Sequence, residues 1–399
     1  MAAHEGHVFH NRLTHSIRVA QIARRLAQKF LGEGAEKAEA VGGIDPDVAE
    51  AAGLAHDLGH PPFGHIAEEE LRCCVAEARH IWDGFEGNAQ SFRIVTRLAL
   101  RSPKVPGLNL TRATLNALLK YPWTRQSEGY EKDKYGLYQS EVLDFRFARE
   151  LHPVPDDKRK GPEAEIMDWA DDVTYAVHDV EDFYRARLIP LDRLASLEDG
   201  SERKRFFDGM YRRPELTKRM GSEPRTELEE AFFKVITTFS ISEPYTGTRE
   251  HRSRLRDFSS NLIGQFVDAI ELHVPASQNE TFVKLRQLQR LQVRVLKALT
   301  WFYVIYNPAL ATQQYGQRRI IRELFEIFGN AAVATKDDER NIIPFAFRDE
   351  MLSAREDPGL VIRVVTDLLA GMTEQGMVKL YRRLTGIDMG SVLDYVYGN

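Results

Sequence analysis

The sequence predicts an all-α protein, and three observations support this fold class. Apolar residues recur at helical spacing along most of the 399 residues. Strand-like alternation is scarce, and loops with proline, glycine or charge runs separate the periodic segments. The hydrophobic fraction of 43% and the charged fraction of 28% are ordinary for a globular protein. A chain of this length can bury one large core or two modest ones.

The first predicted helix begins near Thr14, and another extends from Glu163 to Arg185. Each has apolar side chains at intervals of three and four residues, which is typical of a helix that buries one face. In the first helix these side chains are Val19, Ile22, Ala23, Leu26, Ala27 and Phe30. In the other they are Ile166, Trp169, Ala170, Val173, Val177 and Val180.

A further helix is predicted to open at Asp45-Pro46, because a capping side chain followed by proline marks a first turn. This helix runs into His56-Asp57, and Gly59 with Pro61-Pro62 must end it. We therefore expect residues 60–65 to form a tight irregular turn.

Helix-like segments continue in the carboxyl-terminal half of the chain. We expect a catalytic core over residues 1–190 and a helical region over residues 191–399, packed on that core as one structural unit. The later segments are 226–240, 257–272, 280–306, 317–329 and 359–384.

The charge and the cysteines exclude several classes of protein. A formal net charge of −5 argues against wholesale nucleic-acid binding, although it allows a local basic pocket. The two cysteines, Cys73 and Cys74, are adjacent, which excludes a disulfide framework and fits a reducing, cytoplasmic setting. No run of about 18 apolar residues occurs, so no membrane-spanning segment is predicted.

Four residues on the predicted helices have side chains that bind divalent metals. The adjacent His56-Asp57 pair offers a neutral nitrogen and an anionic oxygen, and His15 and Asp171 offer one more of each. Such a shell suits Mn, Fe, Zn, Co or Mg and leaves positions for water and phosphate. In the alternative interpretation, Asp57 caps the turn that follows and His56 packs nearby.

The turn after this pair contains candidates for acid–base catalysis. The double proline fixes the backbone, and Phe63 can hold the turn against the core. His65 with Glu68 forms a histidine–carboxylate pair of the kind that donates protons, and His60 is a further candidate. The alternative is a solvated loop with incidental histidines.

A polar stripe and two arginine-containing segments complete the candidate residues. Asp171, Tyr175 and Asp179 follow at i, i+4 and i+8, a spacing that lines a cavity or faces water. Arg12, one turn before His15, is a candidate phosphate ligand, because phosphate chemistry needs cations. The arginines of residues 249–256 are interpreted as a solvated helix face.

Several strings resemble the HD-domain phosphohydrolases, and more closely their deoxyguanosine triphosphate triphosphohydrolase-like branch. The most specific is His-Asp-Leu-Gly-His-Pro-Pro-Phe-Gly-His (56–65). The others are Arg-Leu-Thr-His-Ser (12–16), Phe-Glu-Gly-Asn-Ala-Gln-Ser (85–91), Asn-Leu-Thr-Arg-Ala-Thr-Leu (109–115), Lys-Tyr-Pro (120–122), Trp-Ala-Asp-Asp-Val-Thr-Tyr (169–175) and Ala-Gly-Met-Thr (370–373).

The resemblance implies an HD-domain fold with additional carboxyl-terminal helices. It also implies hydrolysis of a deoxynucleoside triphosphate (dNTP) to deoxynucleoside and inorganic triphosphate, with His65 protonating the departing 5′-oxygen. Asp171 is preferred to Asp172 because only Asp171 lies on the same helix face as Tyr175 and Asp179. The implied metal ligands are His15, His56, Asp57 and Asp171. The implied catalytic pair is His65 with Glu68, and the implied phosphate and sugar contacts are Arg12, Tyr175 and Asp179.

The same resemblance implies a homo-oligomer, because relatives assemble as tetramers or hexamers, and it allows a nucleotide effector or single-stranded DNA as a partner. Only eleven residues precede Arg12, whereas family members have a longer segment that reaches the base. We therefore expect either a start downstream of the natural one or reduced base recognition.

Two alternative functions stay open at this point. One is another HD-domain hydrolase, acting on nucleoside monophosphates or on guanosine tetraphosphate-type alarmones. The other is a non-catalytic regulator that binds nucleotides or nucleic acid, for which the basic stretch of residues 203–219 and the short amino terminus are the motive.

Overall fold

The computed structural model describes residues 12–80, 83–126, 133–151, 158–277 and 279–388. These residues are mostly helical, with a single antiparallel strand pair among them, which confirms the all-α prediction. Within the same ranges, no helix is long and apolar enough to cross a membrane. The residues before Arg12, on which the expectation about base recognition depends, lie outside this description.

The helices of the amino-terminal half are α1 (Arg12–Glu33), α2 (Ala35–Ala40), α3 (Pro46–Ala55), α4 (His65–Ala78), α5 (Gly87–Arg93), α6 (Arg112–Ala117), α7 (Val142–Arg149), α8 (Pro162–Thr174) and α9 (Val180–Arg185). Those of the carboxyl-terminal half are α10 (Leu191–Ala195), α11 (Ser201–Arg212), α12 (Pro214–Met220), α13 (Arg225–Ile236), α14 (Arg249–Asp268), α15 (Gln287–Thr300), α16 (Pro308–Val333), α17 (Asp337–Arg340), α18 (Arg348–Ala354), α19 (Pro358–Ala370) and α20 (Glu374–Leu384). The described π-helical segments are Ile94–Leu98, Tyr175–Asp179 and Trp301–Ile305, and the 3-10 turns are Gln139–Glu141 and Phe345–Phe347.

The prediction of helix over 257–272 and 280–306 is wrong at the facing ends of the two segments. Strands β1 (Ile270–Leu272) and β2 (Val283–Leu285) pair antiparallel there, with Ile270 opposite Leu285. Side chains alternate between buried and exposed along β1. The amide of Val283 donates to the Glu165 carboxylate at 2.9 Å. This tertiary hydrogen bond replaces the partner that a helix would have supplied.

The chain forms two compact units, each of which packs mainly within itself. The first comprises Met1–Ala55, Arg112–Lys120 and Arg159–Ala311, and the second comprises His56–Thr111, Tyr121–Lys158 and Thr312–Asn399. Both units are discontinuous, and each draws on both sides of residue 190. The predicted boundary at that residue stays a prediction.

In the first unit, α1 packs against α3 and α8. The stripe predicted for the first helix, from Val19 to Phe30, is buried. Gly53 of α3 faces α1 so closely that an added Cβ would lie 2.6 Å from the Ala20 Cα. A glycine is therefore required at this crossing, and the close approach fixes the end of α3 beside the helix that carries His15.

In the second unit, buried side chains of α4, α16 and α19 form one core, which includes Leu71, Phe328 and Leu369. The turn before α4 packs on α5, because a Cβ on Gly59 would lie 2.1 Å from the Ser91 amide nitrogen. Ser91 in turn donates its hydroxyl hydrogen bond to the His56 carbonyl at 2.9 Å. These contacts fix the backbone on both sides of the irregular turn.

Candidate active site

His15 of α1 and Asp171 of α8 lie side by side. His15 Nε2 is 3.1 Å from Asp171 Oδ1. The other carboxylate oxygen of Asp171 accepts a hydrogen bond from Lys120 Nζ, also at 3.1 Å. Asp172 instead pairs with Lys297 at 2.6 Å. Asp171 is thus the aspartate beside His15, and its role as a metal ligand stays a prediction.

His56 and Asp57 follow directly after Ala55, the last residue of α3. One potential ligand atom from each of His15, His56 and Asp57 lies within 4.8 Å of the other two. His56 is buried, and its Nε2 lies 3.6 Å from Asp57 Oδ1. Imidazole nitrogens with carboxylate oxygens form a donor set that Zn, Mn, Fe and Co accept. The residues present therefore fit a divalent metal.

The turn after these residues has an unusual backbone. Phe63 has φ 68° and Gly64 has φ 60°, so that two successive residues occupy the left-handed region. A bulky residue seldom adopts this conformation unless its surroundings enforce it. Phe63 packs against the core of the second unit, and its amide donates to Glu374 at 3.3 Å. This anchoring sets where α4 begins, at His65.

His65 and Glu68 form the histidine–carboxylate pair that the sequence predicts. His65 Nδ1 lies 3.2 Å from Glu68 Oε2, and the His65 side chain is 60% exposed whereas that of Glu68 is 12% exposed. Burial would raise the pKa of the Glu68 carboxyl, but the hydrogen bond with His65 and the positive charges of His60 and Lys134 outweigh it and lower the pKa below its ordinary value. Glu68 is therefore an anion that only accepts, and His65 Nδ1 carries the proton between them.

His60 lies deeper in the same turn. Its Nδ1 is 3.1 Å from Asp57 Oδ1. Its ring lies so close to Gly87 that an added Cβ there would meet the ring Cδ2 at 2.9 Å. His60 thus contacts a predicted ligand and the start of α5, and its catalytic role stays a prediction.

Tyr175 and Asp179 continue along the helix that carries Asp171, with a π-helical segment between Tyr175 and Asp179 that the spacing did not predict. Burial raises the pKa of Asp179 to about 7; the charge of His15 opposes this, and Asp182 and Asp171 add to it. Burial, followed by Asp179, also raises the pKa of the Tyr175 phenol. Wider π turns are frequent at functional sites because they redirect side chains.

Sequence reasoning missed two lysines beside the predicted carboxylates. Lys120 lies between Asp171 and Asp168, which it contacts at 2.7 Å. Lys134 lies 3.1 Å from Glu68. Lys120 stands in the Lys-Tyr-Pro string, which was the available signal, whereas nothing around Lys134 in the sequence marks it.

The basic stretch of residues 203–219 forms much of α11 and α12. Lys204, Arg212 and Arg213 line a surface cavity of about 510 Å³ together with Phe302. None of the three cations forms an ion pair within the described part of the chain. The arginines of residues 249–256 lie exposed on α14, as predicted for a solvated face. His251 and Leu255, which lie between them in the sequence, are buried.

Two models of known protein families match the sequence. The HD domain model matches residues 12–176, and the phosphohydrolase-associated domain model matches residues 283–383. Together with the helical fold and the histidine–aspartate cluster, these matches define the chain as an HD-domain phosphohydrolase.

The chain is similar to several bacterial proteins named deoxyguanosinetriphosphate triphosphohydrolase-like protein. Those of Streptomyces coelicolor, Corynebacterium efficiens and Bordetella pertussis are 36%, 33% and 30% identical to the chain. The alignments cover 94%, 96% and 96% of this chain and 83%, 85% and 82% of theirs. The chain belongs to the deoxyguanosinetriphosphate triphosphohydrolase-like family of HD-domain proteins.

Proposed function

We propose that the protein hydrolyses a dNTP to the deoxynucleoside and inorganic triphosphate, with the help of a divalent metal. The observation that carries this proposal is the convergence of ligand atoms from His15, His56 and Asp57 within 4.8 Å. The relatives at 36% and 33% identity are named for the triphosphohydrolase reaction, which supports the nucleotide part of the proposal.

The metal would be held by the two histidine nitrogens, with Asp57 and Asp171 supplying anionic oxygens. When bound, a divalent ion supplies Lewis acidity toward a phosphate oxygen and toward water. Lys120 would keep Asp171 oriented by holding its second oxygen, at 3.1 Å. The donor set accepts Mn, Mg, Fe, Co or Zn, and the choice among them is a matter for measurement.

His65 would deliver a proton to the 5′-oxygen of the departing deoxynucleoside. Because ionised Glu68 accepts from Nδ1, the nitrogen that donates is Nε2 on the opposite side of the ring. Glu68 would also stabilise the imidazolium form, which is the form that can donate. A positioned general acid contributes roughly 10²- to 10⁴-fold to a rate. His60 would stabilise the turn that carries His65, through its contact with Asp57.

Arg12, Tyr175 and Asp179 would bind the substrate. The Arg12 guanidinium would compensate charge on the phosphates. Tyr175 and Asp179 would line the sugar, where a 2′-hydroxyl would be excluded by contact. The Asp179 carboxyl, with its pKa raised by burial to about 7, can both donate to and accept from a sugar hydroxyl.

A product assay tests this proposal. The purified protein is incubated with each of the four dNTPs and with Mn or Mg, with and without a second nucleotide, and the products are separated by ion-exchange chromatography. We expect deoxynucleoside and inorganic triphosphate in equal amounts. The same assay is run with deoxynucleoside monophosphates and with guanosine tetraphosphate. Release of orthophosphate or pyrophosphate from these, without triphosphate from any dNTP, would instead indicate one of the other HD-domain hydrolases.

A second candidate function is regulation by binding, and the basic cavity on α11 favours it. Lys204, Arg212 and Arg213, which form no ion pair with any residue that the structure describes, present positive charge to a phosphate-bearing effector or to single-stranded DNA. A metal-loaded protein that turns over no dNTP but binds DNA with strong salt dependence would support this candidate. Self-association into a tetramer or hexamer and a cytoplasmic location stay predictions, the first of which sedimentation measures.

A further inference from the structure

Glu68 has a second set of partners behind the dyad. Its Oε1 accepts a hydrogen bond from Lys134 Nζ at 3.1 Å and another from the Gly87 amide at 3.4 Å. Its Oε2 faces His65. Both oxygens of this buried carboxylate are therefore engaged, and the group cannot rotate away from His65 without breaking a contact to Lys134.

Lys134 is shared with a second carboxylate, that of Glu86. The Lys134 Nζ lies 3.0 Å from Glu86 Oε1, and the Glu86 side chain is only 1% exposed. Glu86 caps α5 by accepting hydrogen bonds from the amides of Asn88 at 2.6 Å and Ala89 at 3.1 Å. The cap fixes Glu86, and Glu86 fixes the ammonium group of Lys134.

The backbone around Lys134 is also held in place. The Lys134 carbonyl accepts a hydrogen bond from Trp123 Nε1 at 2.7 Å. Tyr135 and Tyr138 belong to a small buried cluster, and the Tyr138 hydroxyl donates to the Glu86 carbonyl at 3.3 Å. The backbone that carries Lys134 is therefore held in place, so the fold positions the lysine side chain against Glu68.

We propose that Lys134, held by Glu86, is a positioning residue for the dyad. It keeps Glu68 ionised and turned toward His65, and it limits how strongly Glu68 stabilises the protonated imidazole. This gives the Phe-Glu-Gly-Asn string at residues 85–88 a role, because Glu86 anchors the lysine and Gly87 donates to Glu68. The catalytic consequence rests on the proposed function of His65 as the acid.

The charges of these three groups support the arrangement. Burial disfavours the Lys134 ammonium, but Glu86 and Glu68 outweigh burial and raise the pKa of Lys134. Lys134 in turn contributes to the low pKa of Glu68. One cation thus lies between two carboxylates and stays charged across neutral pH.

Other charged groups surround the dyad. Arg72, one helical turn after Glu68, pairs with Asp133 at 2.8 Å. His60 approaches from the turn, and Glu374 accepts from the Phe63 amide at 3.3 Å. Arg72 lies on α4 with Glu68 but pairs with Asp133. Arg72→Met therefore serves as a matched control for the general loss of a positive charge near the dyad.

Removing the lysine and removing its anchor should have opposite effects on His65. Lys134→Met leaves two carboxylates without their cation, so that the potential at His65 becomes more negative and the protonated ring is favoured. Glu86→Gln removes a negative charge, so that Lys134 counteracts Glu68 more completely and the protonated ring is disfavoured. A purely structural role predicts no reversal of sign.

The experiment measures the pH midpoint at which the His65 ring titrates, by NMR of the metal-loaded protein with ¹³C-labelled histidine. The alkaline limb of dNTP turnover is measured in parallel. We expect Lys134→Met to move both midpoints up by about half to one pH unit and Glu86→Gln to move them down by a similar amount. The conservative variant Lys134→Arg should titrate at the wild-type midpoint. The double variant Lys134→Met with Glu86→Gln should also titrate close to it, because one positive and one negative charge are removed together.

Single-variant shifts of the same sign, or unchanged midpoints in folded variants, would overturn the proposal. An equally large shift in Arg72→Met would overturn it too, because any nearby cation would then suffice. If Lys134→Met does not fold, Glu86→Gln decides the sign, and an upward or absent shift contradicts the proposal. The NMR midpoint needs no turnover, so an inactive wild-type protein would refute the proposed function and leave this test valid.

Discussion

Asp171 in the first unit and Glu68 in the second have the same kinds of partner. Each carboxylate lies between a histidine and a lysine. Asp171 is 3.1 Å from His15 and 3.1 Å from Lys120. Glu68 is 3.2 Å from its histidine and 3.1 Å from its lysine. The two triplets are alike in composition and in distance.

They differ in which histidine nitrogen faces the carboxylate. His15 faces Asp171 with Nε2, its outer nitrogen, and one of its ring nitrogens also lies within 4.8 Å of a ligand atom of His56 and of Asp57. His65 uses Nδ1, which leaves Nε2 on the far side of a largely exposed ring. The first geometry gathers donor atoms at one point, which suits a cation. The second directs a nitrogen outward, which suits proton transfer. Ring orientation, more than residue type, distinguishes the two proposed roles.

The largest expected effect breaks the first triplet. Asp171→Asn removes an anionic oxygen beside His15, so we expect the metal content to fall and turnover to drop on the order of a thousandfold. Metal analysis of the purified variant and triphosphate release measure the two effects. Asp172→Asn is the matched control, because Asp172 pairs with Lys297 instead, and it should retain metal. Full metal occupancy in Asp171→Asn would contradict the assignment.

The next effect breaks the second triplet alone. His65→Ala should keep the full metal content and lose on the order of a hundredfold in turnover, because only the positioned acid is removed. Metal analysis and triphosphate release are again the measurements. Undiminished triphosphate release by this variant would remove His65 from the mechanism and dissolve the contrast between the triplets.

A third carboxylate, Glu165, sharpens the comparison because a backbone amide is its closest partner. Burial raises the pKa of Glu165 to about 7, although the Val283 amide and the charge of Lys160 oppose the rise. A folded-state pKa above the unfolded one means that stability is fully present below about pH 4.5 and is lost as pH rises through 7. We expect up to about 3 kcal/mol to be lost over this range. Glu165→Gln should flatten this dependence in urea unfolding. An equally steep decline in the variant would show that another group is responsible.

The smallest expected effect has the opposite sign and concerns Glu68. Its folded-state pKa is lowered, so its contribution to stability is present above the ordinary value of 4.5 and is lost as pH falls below it. Between pH 6 and pH 3 the wild-type protein should lose on the order of 2 kcal/mol more than Glu68→Gln. Unfolding free energies at matched pH measure the difference. Parallel curves for the two proteins would mean that Glu68 is not held as an anion by its partners.

Local features of the structure were predictable because their causes are local. The helix predicted to open at Asp45-Pro46 is α3, which ends at Ala55, one residue before the predicted His56-Asp57, and an irregular turn follows as predicted. The pair His65–Glu68 lies three residues apart on one helix, where side chains meet by geometry alone. The strand pair near Val283 was missed because its partners are tertiary: β1 and β2 pair with each other, and the Val283 amide donates to Glu165, 118 residues away.

The sequence by itself determined the helices, the irregular turn, the types of donor atom and the resemblance to a family. The tertiary structure alone decided which partner each carboxylate has. Lys120 reaches Asp171 across 51 residues and Lys134 reaches Glu68 across 66 residues, separations at which no periodicity links two positions. Apolar spacing specifies a buried face through a short repeat. An ion pair between distant segments arises only when packing brings them within a few ångströms. That packing decides whether a histidine beside a carboxylate joins a cluster of donor atoms or directs its second nitrogen outward.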